Sequence, residues 1–170
     1  MISAYVRKFR ATTVSPPRPQ VRHVVWSWLG GCIGIGIVAF LSHTSGLQLL
    51  MAPLGATCVL VFGVPDSPLA QPRAIIGGHF LSALVSMIFF DVCGDGWWSL
   101  ALAVATAIAV MQVTNTVHPP AGATSIVVIL GKAPLRFLLT PVLAGAALLV
   151  VVALVFNNLA RERQYPRYWI

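Results

Sequence analysis

Thr114-Asn115-Thr116-Val117-His118-Pro119-Pro120-Ala121-Gly122-Ala123-Thr124-Ser125 interrupts a long apolar region with helix breakers and polar groups. Pro119 and Pro120 lack a backbone N–H and disfavour the helical state in the residue before each. A helix arriving from Ala101 is therefore expected to end near Val117 or His118. Proline is at home in a first helical turn, so a second, short helix is expected to start at once and run over 119–130. Its start would present Gly122, Ala123, Thr124 and Ser125, with free N–H groups and hydroxyls, at a helix end that attracts anions.

The unit occurs earlier as Met51-Ala52-Pro53-Leu54-Gly55-Ala56-Thr57-Cys58. A shift of 67 positions lays Pro53 on Pro120, Gly55 on Gly122, Ala56 on Ala123, Thr57 on Thr124 and Cys58 on Ser125, and further along Gly78 on Gly145. This spacing predicts an internal duplication, with repeat units over 24–90 and 97–156.

Only 11 basic and 4 acidic residues occur among the 170, and none lies in 23–65, 74–90, 96–131 or 137–160. A membrane-spanning helix needs about 20 mainly apolar residues, and each window supplies that length or nearly so. The net charge of +7 sits at the chain ends and in short connections, the pattern of a topology signal rather than of nucleic-acid binding. Cys32, Cys58 and Cys93 have neither paired nor zinc-binding spacing, and no metal or cofactor site is expected.

The fold expected is an all-α polytopic integral membrane protein. A basic segment, 1–23, precedes a single transmembrane domain over 24–156, and a basic, aromatic tail follows over 157–170. Within the domain four full spans are expected, at Val24–Leu41, Ala74–Phe90, Trp97–Val117 and Phe137–Phe156. Two short or broken helices, at 47–64 and 119–130, make six apolar segments. Three segments per repeat would make the halves antiparallel and bring two broken helices face to face at mid-membrane, a 3+3 inverted repeat. The alternative is four spans with both short segments re-entrant. Gly30 and Gly34 in the first span, and Ala101, Ala105 and Ala109 later, are expected to form close-contact faces. Gly78, Ser82 and Ser86 follow at four-residue spacing, either for packing or to line a pathway.

His118-Pro119-Pro120 with Ala-Gly-Ala-Thr, Ala52-Pro-Leu-Gly-Ala-Thr, Ser67-Pro-Leu-Ala-Gln-Pro-Arg73 and Gly78-His79-Phe-Leu-Ser-Ala83 together resemble the HPP family of small integral membrane proteins. The resemblance implies a four-span membrane protein in a family of largely unassigned function, whose plastid members are linked to nitrite transport. Some bacterial members carry a C-terminal regulatory domain, which is not expected here. It also draws Gln71, Pro72 and Arg73 into the candidate site.

Irregular backbone at membrane depth is tolerated only where protein or a watery cavity satisfies it, so the two Pro/Gly breaks point to a cavity. No carboxylate lies in any apolar window, whereas cation pathways commonly use carboxylates or rings of carbonyls, and this favours a small anion. The candidate anion-binding residues are Asn115, His118, Pro119, Pro120, Gly122, Ala123, Thr124 and Ser125, then Pro53, Gly55, Ala56, Thr57, His79, Gln71 and Arg73. His118 either caps its helix or donates to the anion and carries a proton. Arg73 is either a topology residue or an attracting charge at the mouth. Bulky residues at Gly55 or Gly122 would be expected to block passage.

No Gly-x-Ser-x-Gly, P-loop, His-Glu-x-x-His or carboxylate pair is present, and no enzymatic activity is expected. The expected function is a transporter or channel for a small, nitrite-like inorganic anion; the alternative is a non-transporting assembly or sensor subunit. Expected partners are the anion, membrane lipid and, through Gly/Ala-rich helix faces, a second copy of the chain. The expected location is a bacterial inner membrane with both termini cytoplasmic.

Overall fold

A computed structural model describes residues 2–170 and is helical, with no strand among the described residues. The helices are α1 (Ile2–Arg7), α2 (Val21–Ser45), α3 (Ala52–Gly63), α4 (Pro72–Cys93), α5 (Trp97–Val113), α6 (Pro119–Leu130) and α7 (Ala144–Asn158). The expected basic segment contains α1, which sequence reading did not foresee, and Met1 lies outside the described residues.

Polarity is arranged inside out. Thr57, Gln71, His79, Ser82, Ser86, Ser99, His118, Thr124, Ser125 and Asn157 are fully buried, whereas Val24, Trp28, Phe40, Val59, Ile88, Leu102, Ile108, Val151 and Val155 lie exposed. Water would penalise that surface and hydrocarbon does not, so the chain is an integral membrane protein.

Three helical stretches are long and apolar enough to cross a bilayer: Val21–Ser45, Pro72–Cys93 and Leu135–Asn158. The fourth segment expected to span in full, α5, has 17 residues, about 25 Å at 1.5 Å per residue, and stands with α3 and α6 among the shorter apolar helices. It stops before Val117 because Asn115 takes a φ of 54°, a left-handed conformation asparagine tolerates better than most residues. The last expected span is also interrupted. Thr140 is extended (φ −133°, ψ 121°) ahead of Pro141, so α7 proper begins at Ala144. Of the segment expected at 47–64, only Ala52–Gly63 is helical. Gly46 at φ 69° ends α2, and the following residues return extended, with Leu49 N–H donating to Ser42 Oγ at 3.1 Å.

Side-chain contacts fix how the helices run. His23 Nε2 lies 2.9 Å from Gly63 O and Ser27 donates to Phe62 O at 2.8 Å, so the end of α3 meets the start of α2. A Cβ on Gly30 or Gly34 would lie 2.5 or 2.7 Å from the Phe62 ring, so the close packing expected of that pair is used to seat Phe62. Phe156 of α7 packs there too, edge-on to Phe62 and stacked on Trp26. At the opposite end Lys132, just after α6, pairs with Asp95 at 3.0 Å in the turn between α4 and α5. The close-contact face of α5 is Ser99, Ala103, Ala107 and Met111; Ala101, Ala105 and Ala109 face outward. Both rows are small and four apart, and only the packing on α4 chooses between them.

The tail folds back on the end where α2 starts. Arg163 donates to Phe62 O at 2.8 Å, Asn157 Oδ1 at 3.0 Å and Ser27 Oγ at 3.2 Å, tying α2, α3 and α7 together, and Arg22 pairs with Glu162. Replacing Arg163 with Ala should strip these donors and lower stability by about 1–3 kcal/mol, read as an earlier thermal transition in detergent. A transition unchanged from wild type would show the tail to be a passive appendage.

Candidate functional site

The starts of α3 and α6 meet beside α4, as the duplicated Pro/Gly motif implies. Each helix begins with proline in its first turn, Pro53 in one and Pro119-Pro120 in the other. Counted from Ala52 and from Pro119, Thr57 and Thr124 are each the sixth residue of their helix. His79 of α4 stands between them, its Nε2 2.9 Å from Thr57 Oγ1 and its Nδ1 2.8 Å from Thr124 Oγ1. Thr57 Oγ1 also lies 2.9 Å from His118 Nε2, and His118 Nδ1 is 2.7 Å from Leu69 O. The two imidazoles meet edge to face with centroids 4.9 Å apart. Every one of these side chains is fully buried.

His118 sits at the N-cap position of α6 but makes no side-chain capping bond; its ring turns into the cluster instead. Gly78 is what lets it approach, since a Cβ there would lie 2.8 Å from His118 Cβ and 2.9 Å from Thr116 O.

The polar surface continues along α4. Ser82 Oγ lies 2.7 Å from Ser125 Oγ and donates to Ala121 O at 2.5 Å. One turn further, Ser86 Oγ is buried with no hydrogen-bond partner among the described residues. An unpaired hydroxyl in the protein interior is free to bond a polar group that reaches it, and such pairing lowers the cost of its burial.

Toward the α2-start end, Leu69 lines a cleft of about 340 Å³ shared with Arg73, Asn115, Val117 and Tyr168. Arg73 Nη2 donates to Thr114 O at 2.8 Å and so rests on the loop that carries His118. Arg73 brings a positive charge to this cleft, which Ile170 also lines, and Leu69, whose carbonyl accepts from the His118 ring, forms part of its wall.

Not every expected site residue joins the cluster. Gly55, Ala56 and Ala123 are exposed on the outer faces of their helices, Pro119 is exposed and Gly122 half-buried, while Pro53 and Pro120 are buried. A Cβ at Gly55 or Gly122 would meet nothing within 4 Å, so the expected steric block at these two positions is corrected. Gln71 lies apart from the cluster: its amide donates to Pro65 O at 2.9 Å and Ser67 O at 2.8 Å, and its carbonyl accepts from Arg167 N at 2.8 Å. It braces the loop and tail. The free N–H groups expected at the start of α6 are also absent, because Pro119 and Pro120 have none and Ala121 N donates to His118 O at 2.9 Å. Side chains, not helix-end amides, are the donors here.

Sequence reading placed Ser82 and Ser86 only as a packing-or-pathway stripe and assigned no role to Leu69 or Tyr168. A four-residue serine spacing was the available signal for the first pair, and nothing local marks the second.

Two transmembrane proteins of Dictyostelium discoideum are similar to this chain. One is 38% identical, covering 99% of this chain and 64% of the relative, and the other 34%, covering 97% and 57%. The chain therefore spans about 60% of the length of these curated relatives. No solved structure matches. The family profile described as HPP, transmembrane region, matches residues 16–166, which contain both Pro/Gly motifs, the cluster around His79 and His118, and α2 to α7. The chain belongs to the HPP transmembrane family.

Proposed function

We propose that this chain carries a small inorganic anion across the membrane, nitrite being the first candidate through the plastid members of the family. The observation that supports the reading best is the buried, carboxylate-free polar column on α4. It runs from the Arg73 cleft through His79 and Ser82 to the orphaned Ser86 hydroxyl. Neutral donors in a low-dielectric setting bind an anion without holding it so tightly that it cannot leave.

The transport unit is proposed to be an inverted 3+3 repeat of six apolar segments, α2 to α4 against α5 to α7. A reciprocal contact supports this: Gly78 sits under Thr116 O, and Gly145 sits under Leu49 O at 2.2 Å from a built Cβ. Gly78 and Leu49 map onto Gly145 and Thr116 by the same shift of 67. Two such halves place broken helices at a shared central site, the arrangement on which alternating-access carriers are built.

The end bearing Arg22, Arg73, Arg161, Arg163 and Arg167 is proposed to face the cytoplasm. Reporter fusions before α2 and after Trp169 should both report a cytoplasmic location; a signal from the opposite side at either position would overturn the orientation. The proposed bacterial inner membrane rests on sequence reading alone, the relatives found being from Dictyostelium discoideum.

Purified protein in proteoliposomes, given nitrite, nitrate, formate and chloride with potassium and sodium as controls, tests the function. Flux of at least one anion and of neither cation is expected. Cation flux would overturn the anion reading, and silence towards every ion would favour the assembly or sensor alternative.

A further inference from the structure

We propose that Thr57 links His79 and His118 into a proton relay, so that a proton crosses with each anion; this rests on the transport reading above. Leu69 O is a carbonyl and can only accept, so His118 Nδ1, 2.7 Å away, carries hydrogen. In the neutral ring Nε2 is then an acceptor, and the Thr57 hydroxyl donates to it across 2.9 Å. Having spent its one hydrogen, Thr57 Oγ1 accepts from His79 Nε2–H, also at 2.9 Å. His79 Nδ1 is left as the acceptor for Thr124 O–H at 2.8 Å. A single carbonyl thus fixes four groups in one direction, Thr124 to His79 to Thr57 to His118.

Within such a chain charge moves by hydrogen hops, and side chains turn only at release and reset. A proton delivered by water to Thr124 Oγ1 releases that hydroxyl's original hydrogen to His79 Nδ1. His79 Nε2 then gives its proton to Thr57 Oγ1, whose own hydrogen bonds to His118 Nε2. One proton has entered, every O–H and N–H broken has been replaced, and the charge rests on the His118 imidazolium. For release the His118 ring turns its Nδ1–H from Leu69 O toward the Arg73 cleft that Leu69 lines, where the N–H breaks as an O–H forms on water or on the oxygen of a basic anion. Thr57 also has a resting place for its hydrogen while the chain resets, Pro53 O at 3.2 Å.

The surroundings leave the pair free to do this. Among the groups facing it, α3 brings Cys58 and α4 brings Arg73, while α5, α6 and α7 carry no titratable side chain. At the cleft end, Tyr165 donates to Ala70 O at 2.8 Å and Asp66 is paired with Arg167 at 2.6 Å. Among the described residues no Asp or Glu side chain hydrogen-bonds to either histidine.

Histidine nitrogen NMR on the full chain in bilayers tests the wiring directly. At neutral pH His118 should show the Nδ1–H tautomer and His79 the Nε2–H tautomer; the opposite tautomer at either ring overturns the relay whether or not the protein transports. The second measurement follows nitrite uptake and internal pH together in proteoliposomes, with protein-free liposomes as the blank for the neutral acid. Wild type and Thr57→Ser should acidify in step with uptake, and Thr57→Val, which keeps the shape and loses the hydroxyl, should lose at least tenfold of that acidification. Uptake by wild type without acidification overturns the relay and leaves the transport reading standing. Expected tautomers without uptake of any anion overturn the transport reading and, with it, the coupling.

Discussion

Replacing His118 with Ala should cut anion flux about 10- to 100-fold while the protein still folds, extracts and melts cooperatively. The removed ring holds two buried partners at once, Leu69 O at 2.7 Å and Thr57 Oγ1 at 2.9 Å. Each buried partner left alone costs about 1–3 kcal/mol. Thr57 can turn to Pro53 O, so the ground state recovers part of the loss, whereas an anion entering from the Arg73 cleft meets no donor where the ring was. His118→Gln, which can still donate toward Leu69, should fall between the two. Normal flux from His118→Ala would reduce the histidine to a structural element and remove the site from this part of the chain.

The larger effect on stability is expected at Gly145. A Cβ built there lies 2.2 Å from Leu49 O and 3.0 Å from Leu54 Cδ1. The carbonyl belongs to backbone that cannot drift away, because Leu49 N–H is held by Ser42 Oγ at 3.1 Å. Gly145→Val should therefore cost at least the ~1–3 kcal/mol typical of overpacking, and yields of folded protein should drop with it. Gly145→Ala should cost less and still melt early. Gly36→Ala and Gly122→Ala, where a Cβ meets nothing within 4 Å, are the matched controls and should melt no earlier than wild type. A Gly145→Val protein as stable as these controls would mean that α7 and the extended segment around Leu49 do not pack as described. Because Gly78 makes the counterpart contact with Thr116 O, Gly78→Val is expected to show the same loss, with damage to the His118 site added.

Position in the chain and residue chemistry carried the membrane reading without help from tertiary structure. Charge-free windows of spanning length, prolines in the first turns at Pro53 and Pro119-Pro120, and the 67-residue shift are all local or linear facts, and backbone sterics makes them binding. Helix rotation was another matter. When every face of a helix is apolar, periodicity marks which residues share a face but not which face turns inward. Ala101, Ala105 and Ala109 therefore looked as suitable as Ala103 and Ala107, and packing on α4 decided between them. The same gap hid the union of His79 with both threonines, which depends on three helices crossing at one level, and the use of Gln71 as a brace for a tail 96 residues away. The sequence could name the groups able to hold an anion or a proton; only the crossing of α3, α4 and α6 determined which of them touch.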